Sequence, residues 1–276
     1  PPSVVDGGTR FADIDGDGRE DLVAFWGDGT VHVYRNVGWD GRVFDGVDTK
    51  VVASGFTDPE QAKLADLDGD GRAELMSIFP DGSVHAYRNL GWGSAKVFDG
   101  GVQKVVASGF KDATRTSFAD VDGDGRADLV GGRSDGSVHV YRNLGWDASP
   151  NVYDGNVQKV VASGFSAPGT KFADIDGDGR AEIMAFYANG DVHVYRNLGW
   201  DASPNVFDGN VQKVVASGFK DASRTKFGDL DGDGRAEIVS IFADKTVHAY
   251  RNLGWDATPN VYDGNVQKIV ASGFTP

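Results

Sequence analysis

Asp13-Ile14-Asp15-Gly16-Asp17-Gly18-Arg19-Glu20-Asp21 is the stretch on which the fold turns, because it does not occur once. Close copies begin at Asp66, Asp120, Asp174 and Asp229, so successive starts lie 53, 54, 54 and 55 residues apart. A fixed period of this length marks a chain assembled from repeated supersecondary units. Carboxylates occupy positions 1, 3, 5 and 9 of every copy: Asp13, Asp15, Asp17 and Asp21; Asp66, Asp68, Asp70 and Glu74; Asp120, Asp122, Asp124 and Asp128; Asp174, Asp176, Asp178 and Glu182; Asp229, Asp231, Asp233 and Glu237. Alternate residues of a tight loop can point inward together, and the glycine at position 6 permits the sharp turn. A backbone carbonyl at position 7 would complete an oxygen shell, contributed by Arg19, Arg72, Arg126, Arg180 or Arg235. Hard oxygen donors with no His or Cys among them select calcium over zinc or copper. An EF-hand is excluded, because no helix flanks the loop and position 12 holds Ala24, Ser77, Gly131, Ala185 or Ser240 instead of a bidentate Glu.

Between the loops each repeat reads as four short strands. In the fourth copy, Lys171-Phe172-Ala173 enters the loop and Glu182-Ile183-Met184-Ala185-Phe186-Tyr187 leaves it. Asn189-Gly190 is a hairpin signal. Asp191 to Asn197 alternates as a strand does, and Val211 to Phe219 closes the unit after a loop carrying Pro204 and Asp208-Gly209. No segment sustains a helical apolar period. A lone four-stranded sheet exposes two apolar faces, and copies packed face to face around an axis bury both. The expectation is therefore all-β: one five-bladed β-propeller spanning 1–276, with four antiparallel strands per blade. A parallel β-helix has much shorter coils, and a row of independent domains of about 54 residues would have poor cores and would need linkers. The segment Pro1–Arg10 is a truncated copy, so Gln267–Phe274 is expected to supply the outer strand where the termini meet, with Val4-Val5 adding little.

The chain has 276 residues, 27 basic and 41 acidic, for a formal charge of −14. That balance argues against a nucleic-acid ligand, which needs a basic surface. The four carboxylates in each of five loops make 20 of the 41 acids, and five divalent cations would move −14 to −4. There is no cysteine, which removes disulfides and thiol chemistry, and no apolar run reaches the 18–20 or so residues of a membrane helix. The opening Pro1-Pro2-Ser3 carries no leader pattern; either none is made or these residues begin a mature form.

Phe172–Ile183, Phe-Ala-Asp-Ile-Asp-Gly-Asp-Gly-Arg-Ala-Glu-Ile, resembles the FG-GAP/VCBS repeat of integrin α-chain propellers and of many secreted microbial proteins. The longer unit, with Asp-Gly-x-Val-His-Val-Tyr-Arg-Asn and a closing Val-Ala-Ser-Gly-Phe, is similar to the Psathyrella velutina-type fungal lectins. That resemblance implies a secreted, calcium-containing propeller that recognises N-acetylglucosamine between blades. Five units stand here where the lectin has seven.

Three further positions recur. His32, His85, His139, His193 and His248 are either strand packing between blades or a functional imidazole, and Tyr34, Tyr87, Tyr141, Tyr195 and Tyr250 share their face. Trp39, Trp92, Trp146, Trp200 and Trp255 follow a glycine at a loop opening, where an indole either stacks on a sugar or plugs a seam. Asn36, Asn89, Asn143, Asn197 and Asn252, three residues earlier, could bond hydroxyl or acetamido groups. The loops Asp147–Asn151, Asp201–Asn205 and Asp256–Asn260 are nearly identical, which fits shared ligand contacts or recent duplication. The expected function is a calcium-stabilised, multivalent lectin for N-acetylated hexoses. A protein-binding rim of integrin type is the alternative, and a purely structural repeat comes third. No nucleophile, base and orienting group stand outside the repeat, so no enzyme is expected.

Overall fold

The computed structural model describes residues 3–165 and 169–276. Pro1 and Pro2, which open the expected truncated copy, lie outside the described residues. Five four-stranded antiparallel sheets follow one another along the chain, each built from contiguous sequence in simple up-and-down order. The blades comprise β1–β4 (Val4–Ala12, Asp21–Trp26, Val31–Asn36, Phe44–Ala53), β5–β8 (Ala62–Ala65, Glu74–Ile78, Val84–Asn89, Phe98–Ala107), β9–β12 (Thr116–Ala119, Asp128–Gly132, Val138–Asn143, Tyr153–Ala162), β13–β16 (Thr170–Ala173, Glu182–Phe186, Val192–Asn197, Phe207–Ala216) and β17–β20 (Thr225–Gly228, Glu237–Ile241, Thr246–Asn252, Tyr262–Ser272). The chain is a five-bladed β-propeller. The fourth strand begins earlier than the sequence suggests: Asp208-Gly209 lies inside β16 and not in the preceding loop, and the strand ends at Ala216.

The apolar core lies between blades. Each of five buried clusters draws on two neighbours, as when Val23 and Phe25 of the first blade meet Leu75 and Val97 of the second. The fifth cluster joins Leu22, Ala24 and Phe44 to Leu230, Val239 and Phe274, which closes the ring. Second strands alternate across two buried faces, so Leu22 and Val23 are both fully buried yet serve different seams. Each such side chain contributes about 1.5–3 kcal/mol by leaving water, and none of that is available to a blade alone.

The first strands β1, β5, β9, β13 and β17 touch in ring order around the axis. Among the described residues, closure involves no exchange of strands between repeats. The expectation that Val4-Val5 adds little is corrected: Val4 pairs with Trp26 in the innermost strand of the first blade. The Thr275 hydroxyl donates to the Val5 carbonyl at 2.6 Å, and Thr9 donates to the Thr275 carbonyl. The C-terminal strand β20 remains the outer strand of its own blade.

The hairpin between second and third strands needs a left-handed residue. Gly82 has φ +87°, and a β-carbon there would stand 3.1 Å from the Phe110 nitrogen of the returning chain. Lys245 occupies the same place in the last blade with φ 67°, a conformation that strains a side-chain-bearing residue.

Candidate metal loops and the blade seams

The acidic loops join first to second strands and form a collar around one end of the axis. Their backbones are bonded to one another. Ala73 donates to the Asp13 carbonyl, Ala127 to Asp66, Ala181 to Asp120, Ala236 to Asp174, and Glu20 to Asp229, at 2.7–2.8 Å. These five bonds make a closed circuit. The position-4 glycine serves the same contact: a β-carbon on Gly123 would stand 2.8 Å from Arg180 Cγ of the next loop.

Within a loop each carboxylate has a different task. Asp13 accepts from the Gly16 and Gly18 amides at 2.7 and 2.8 Å, which folds the turn over its own side chain. Asp15 pairs with Arg35 of the third strand, and Asp17 with Arg19. Asp21, fully buried, accepts from Ile14 N at 3.0 Å and Asn36 N at 2.8 Å, tying first, second and third strands together. Glu74 repeats this with Leu67 N and Asn89 N. Burial pushes these acids up: Asp13 and Asp120 to about 6, Asp21 and Asp128 to about 7, and Glu74, Glu182 and Glu237 to about 8, with neighbouring carboxylates adding to the rise. Such crowding favours either protons or a cation.

In every loop three carboxylates bring one oxygen each within 4.8 Å of the others: Asp13, Asp15, Asp17; Asp66, Asp68, Asp70; Asp120, Asp122, Asp128; Asp174, Asp176, Glu182; and Asp229, Asp231, Glu237. These groups could hold a metal ion, and an all-carboxylate donor set fits a hard divalent cation.

The tryptophans and asparagines sit at the seams as structural staples. Asn197 is 1% exposed. Its Nδ2 donates to the Val121 carbonyl of the preceding blade at 2.9 Å and to Ala181 at 3.0 Å, while its Oδ1 accepts from Gly199 N at 2.9 Å. Asn36, Asn89, Asn143 and Asn252 make the same bridge. The expectation that these amides face a ligand is corrected, because backbone groups already occupy both ends of each. Each tryptophan is half-buried against the seam cluster, and its carbonyl accepts from a lysine of the preceding blade, as Trp200 does from Lys159 at 2.5 Å. Lys159 and Arg142 lie 5.6 and 5.8 Å from the Trp200 ring centre, within cation–π range of the indole expected to stack on a sugar. The same holds at Trp39, Trp146 and Trp255, and Lys50 lies 5.6 Å from the Trp92 ring.

The histidines lie half-buried on their own sheets, as His193 does against Tyr187 with ring centres 4.2 Å apart. The tyrosines do cross the seam. Tyr195 meets Phe165 of the preceding blade edge-on at 5.2 Å, and Tyr34 meets Phe274 in the same way.

Beside these tyrosine–phenylalanine pairs open three equivalent cavities. The seam between third and fourth blades holds about 430 Å³ between Phe165, Tyr187, Tyr195, Asn205 and Phe207. The seam between fourth and fifth blades holds about 640 Å³, with Phe219, Phe242, Tyr250, Asn260 and Tyr262 in the same places. The closing seam holds about 630 Å³ beside Trp26, Tyr34, Arg42, Phe44 and Phe274. Sequence reasoning singled out the loops carrying Asn205 and Asn260 but missed the aromatic walls, which come from positions far apart in the chain.

The FG-GAP-like repeat matches residues 13–77, 66–131, 120–185 and 174–240, and the chain belongs to that family. No curated protein sequence matches it significantly. Among solved structures, the Photorhabdus luminescens Tc holotoxin pore is similar over 90% of this chain and 12% of its own, at 23% identity and a TM-score of 0.47. The TcdB2-TccC3-Cdc42 complex is similar over 91% of this chain and 16% of its own, at 16% identity and a TM-score of 0.47. A calcium structure of a Trichoderma reesei protein of carbohydrate-active enzyme family AA12 is similar over 93% of this chain and 76% of its own, at 10% identity and a TM-score of 0.47. Likeness at this level carries no functional argument. Among the described residues no helix is long and apolar enough to cross a membrane.

Proposed function

We propose that this propeller is an extracellular, calcium-stabilised carbohydrate-binding module, and that its glycan seats are the aromatic seam cavities. The observation that carries the reading is the recurrence of one cavity design at three blade junctions. Each has an apolar wall fit for the C–H face of a pyranose and, at two of them, an asparagine to orient hydroxyl or acetamido groups. Seats of about 1 mM affinity, or −4 kcal/mol, become effective on a crowded glycan surface because repeats spaced around one disc engage together. The module binds and does not catalyse.

Calcium would be held by the carboxylates at positions 1, 3, 5 and 9, with the position-7 carbonyls of Arg19, Arg72, Arg126, Arg180 and Arg235 as further donors. Bound there, it supplies charge neutralisation. The protein's own part is to fold each loop around Asp13 and its equivalents and to anchor it through the buried position-9 acid.

The test is titration of N-acetylglucosamine, with galactose, fucose and sialic acid alongside, into the full chain followed by amide NMR. Shifts should cluster at Tyr195, Tyr250 and Tyr34 and weaken in Tyr195→Ala for its own seam. Silence at tens of millimolar, about tenfold above the expected affinity, would reject the lectin reading. Capture of a protein partner indifferent to free sugar would then favour the integrin-like alternative, for which the exposed Val160, Val214 and Ile269 on outer strands offer an apolar contact.

A further inference from the structure

The axis itself carries a feature that neither the metal loops nor the seams explain. Arg10, Lys63, Lys171 and Lys226 occupy one register position in four of the five inner strands, pairing with Val23, Met76, Met184 and Val239 of the second strands. Equal register in a ring places them at one height around the axis. The fifth strand has Ser117 there. All five line a cavity of about 470 Å³ at the end of the axis away from the acidic collar. Its floor is aromatic, with Phe118, Phe172 and Phe227 separating it from the collar.

Four basic side chains converge here in a chain of formal charge −14. They do not serve the loop carboxylates, which already have dedicated partners in Arg35 and Arg19 and their equivalents. Glu60, 3.6 Å from Lys63, and Asp6 are the acidic side chains among the described lining residues. The Arg10 guanidinium bonds carbonyls of Gly7, Thr9 and Pro59, which fixes its charge in place without neutralising it. Lys171 and Lys226 have no hydrogen-bonded or ion-pair partner among the described residues. Burial, reinforced by the like charges opposite, pushes Lys226 down to about 7, whereas Lys63, with Glu60 beside it, is held at about 8. Concentrating like charges in a low-dielectric cavity is costly unless a counter-charge is delivered to it.

We propose that this axial cavity is an anion seat for a phosphate or sulfate group, either as the free ion or as the terminal ester of a larger molecule. A tetrahedral oxyanion of charge −2 offers several acceptors to ammonium donors arriving from different sides. The Ser117 hydroxyl at the wall can donate to the same group, whereas those of Thr114 and Ser223 are already committed to Asp112 and Asp221. This seat is separate from the seam cavities and stands whether or not those bind sugar.

The experiment is calorimetric titration of the full chain with sodium sulfate against sodium chloride at matched ionic strength, and with glucose 6-sulfate as the ester arm. Sulfate should bind one per chain, at least tenfold more tightly than chloride. Lys226→Gln or Lys171→Gln should weaken it at least tenfold, whereas Lys111→Gln, which lies against the Gly82 hairpin and does not line the cavity, should leave it unchanged. Removing one of four crowded cations relieves repulsion, so the axial variants should fold. Ester binding equal to sulfate assigns the seat to a carried group; ester binding tenfold weaker assigns it to the free ion. Sulfate no better than chloride, or equal losses in the axial and Lys111 variants, overturns the proposal.

Discussion

Replacing Asn197 by Ala should cost this protein more than any change to an exposed ligand contact could. The side chain is buried and makes three hydrogen bonds of 2.9, 3.0 and 2.9 Å, one of them to the neighbouring blade. At about 1 kcal/mol net for each bond, the loss is about 3 kcal/mol, and buried carbonyls of Val121 and Ala181 left without this donor keep it from being smaller. For a chain of this size that corresponds to about 6–10 °C in melting temperature. Asn197→Asp should be at least as damaging, since it turns an acceptor toward two carbonyls. The assay is urea unfolding in calcium-saturated buffer, with the slope against denaturant unchanged and the midpoint lowered. A loss under about 1 kcal/mol, or lost sugar binding at full stability, would refute the structural role and return this amide to the ligand site.

Trp200→Ala should likewise destabilise, by about 3–5 kcal/mol for a large side chain packed at a seam, while leaving sugar shifts at the other seams intact; thermal melting and NMR titration of the same variant check both. Gly123→Ala should cost about 1–3 kcal/mol, because φ +81° disfavours a side chain and the new β-carbon meets Arg180; unchanged melting would contradict the interlocked collar. Lys226 has its folded-state value depressed to about 7 from 10.5. In the range between them the unfolded chain binds the extra proton, so stability from this group is fully present above about 10.5 and is lost as pH falls to about 7. Lys226→Met should therefore flatten the rise in stability from pH 7 to 10, measured as the difference between the two melting profiles.

The repeat and the blade count were legible because five acidic loops and five strand sets recur at one spacing, and a sheet with two apolar faces has few ways to bury both. The acid clusters were legible for the same reason: alternate carboxylates in a glycine turn leave little choice of geometry. Roles at the seams were not. Along the chain Asn197 ends a strand and Trp200 opens a loop, and only the neighbouring blade supplies Val121, Arg142 and Lys159 to occupy them. The aromatic cavities were hidden because Phe165, Tyr195 and Asn205 come from two repeats and meet only at the seam between adjacent blades. Glu20 shows the limit of repeat averaging. It stands where four copies have Ala, and Gly228 is its complement, since a β-carbon there would fall 2.1 Å from Glu20 Oε2.

The central claim is that each collar loop holds calcium and that the ring depends on it. Equilibrium dialysis of the chelator-stripped chain against calcium, followed by melting of the same samples, measures this directly. The account predicts five ions per chain, one per loop, and a melting temperature that climbs with calcium, since at 1,000-fold excess over its dissociation constant each site adds about 4 kcal/mol. Failure to bind calcium, with melting indifferent to chelator, would contradict it.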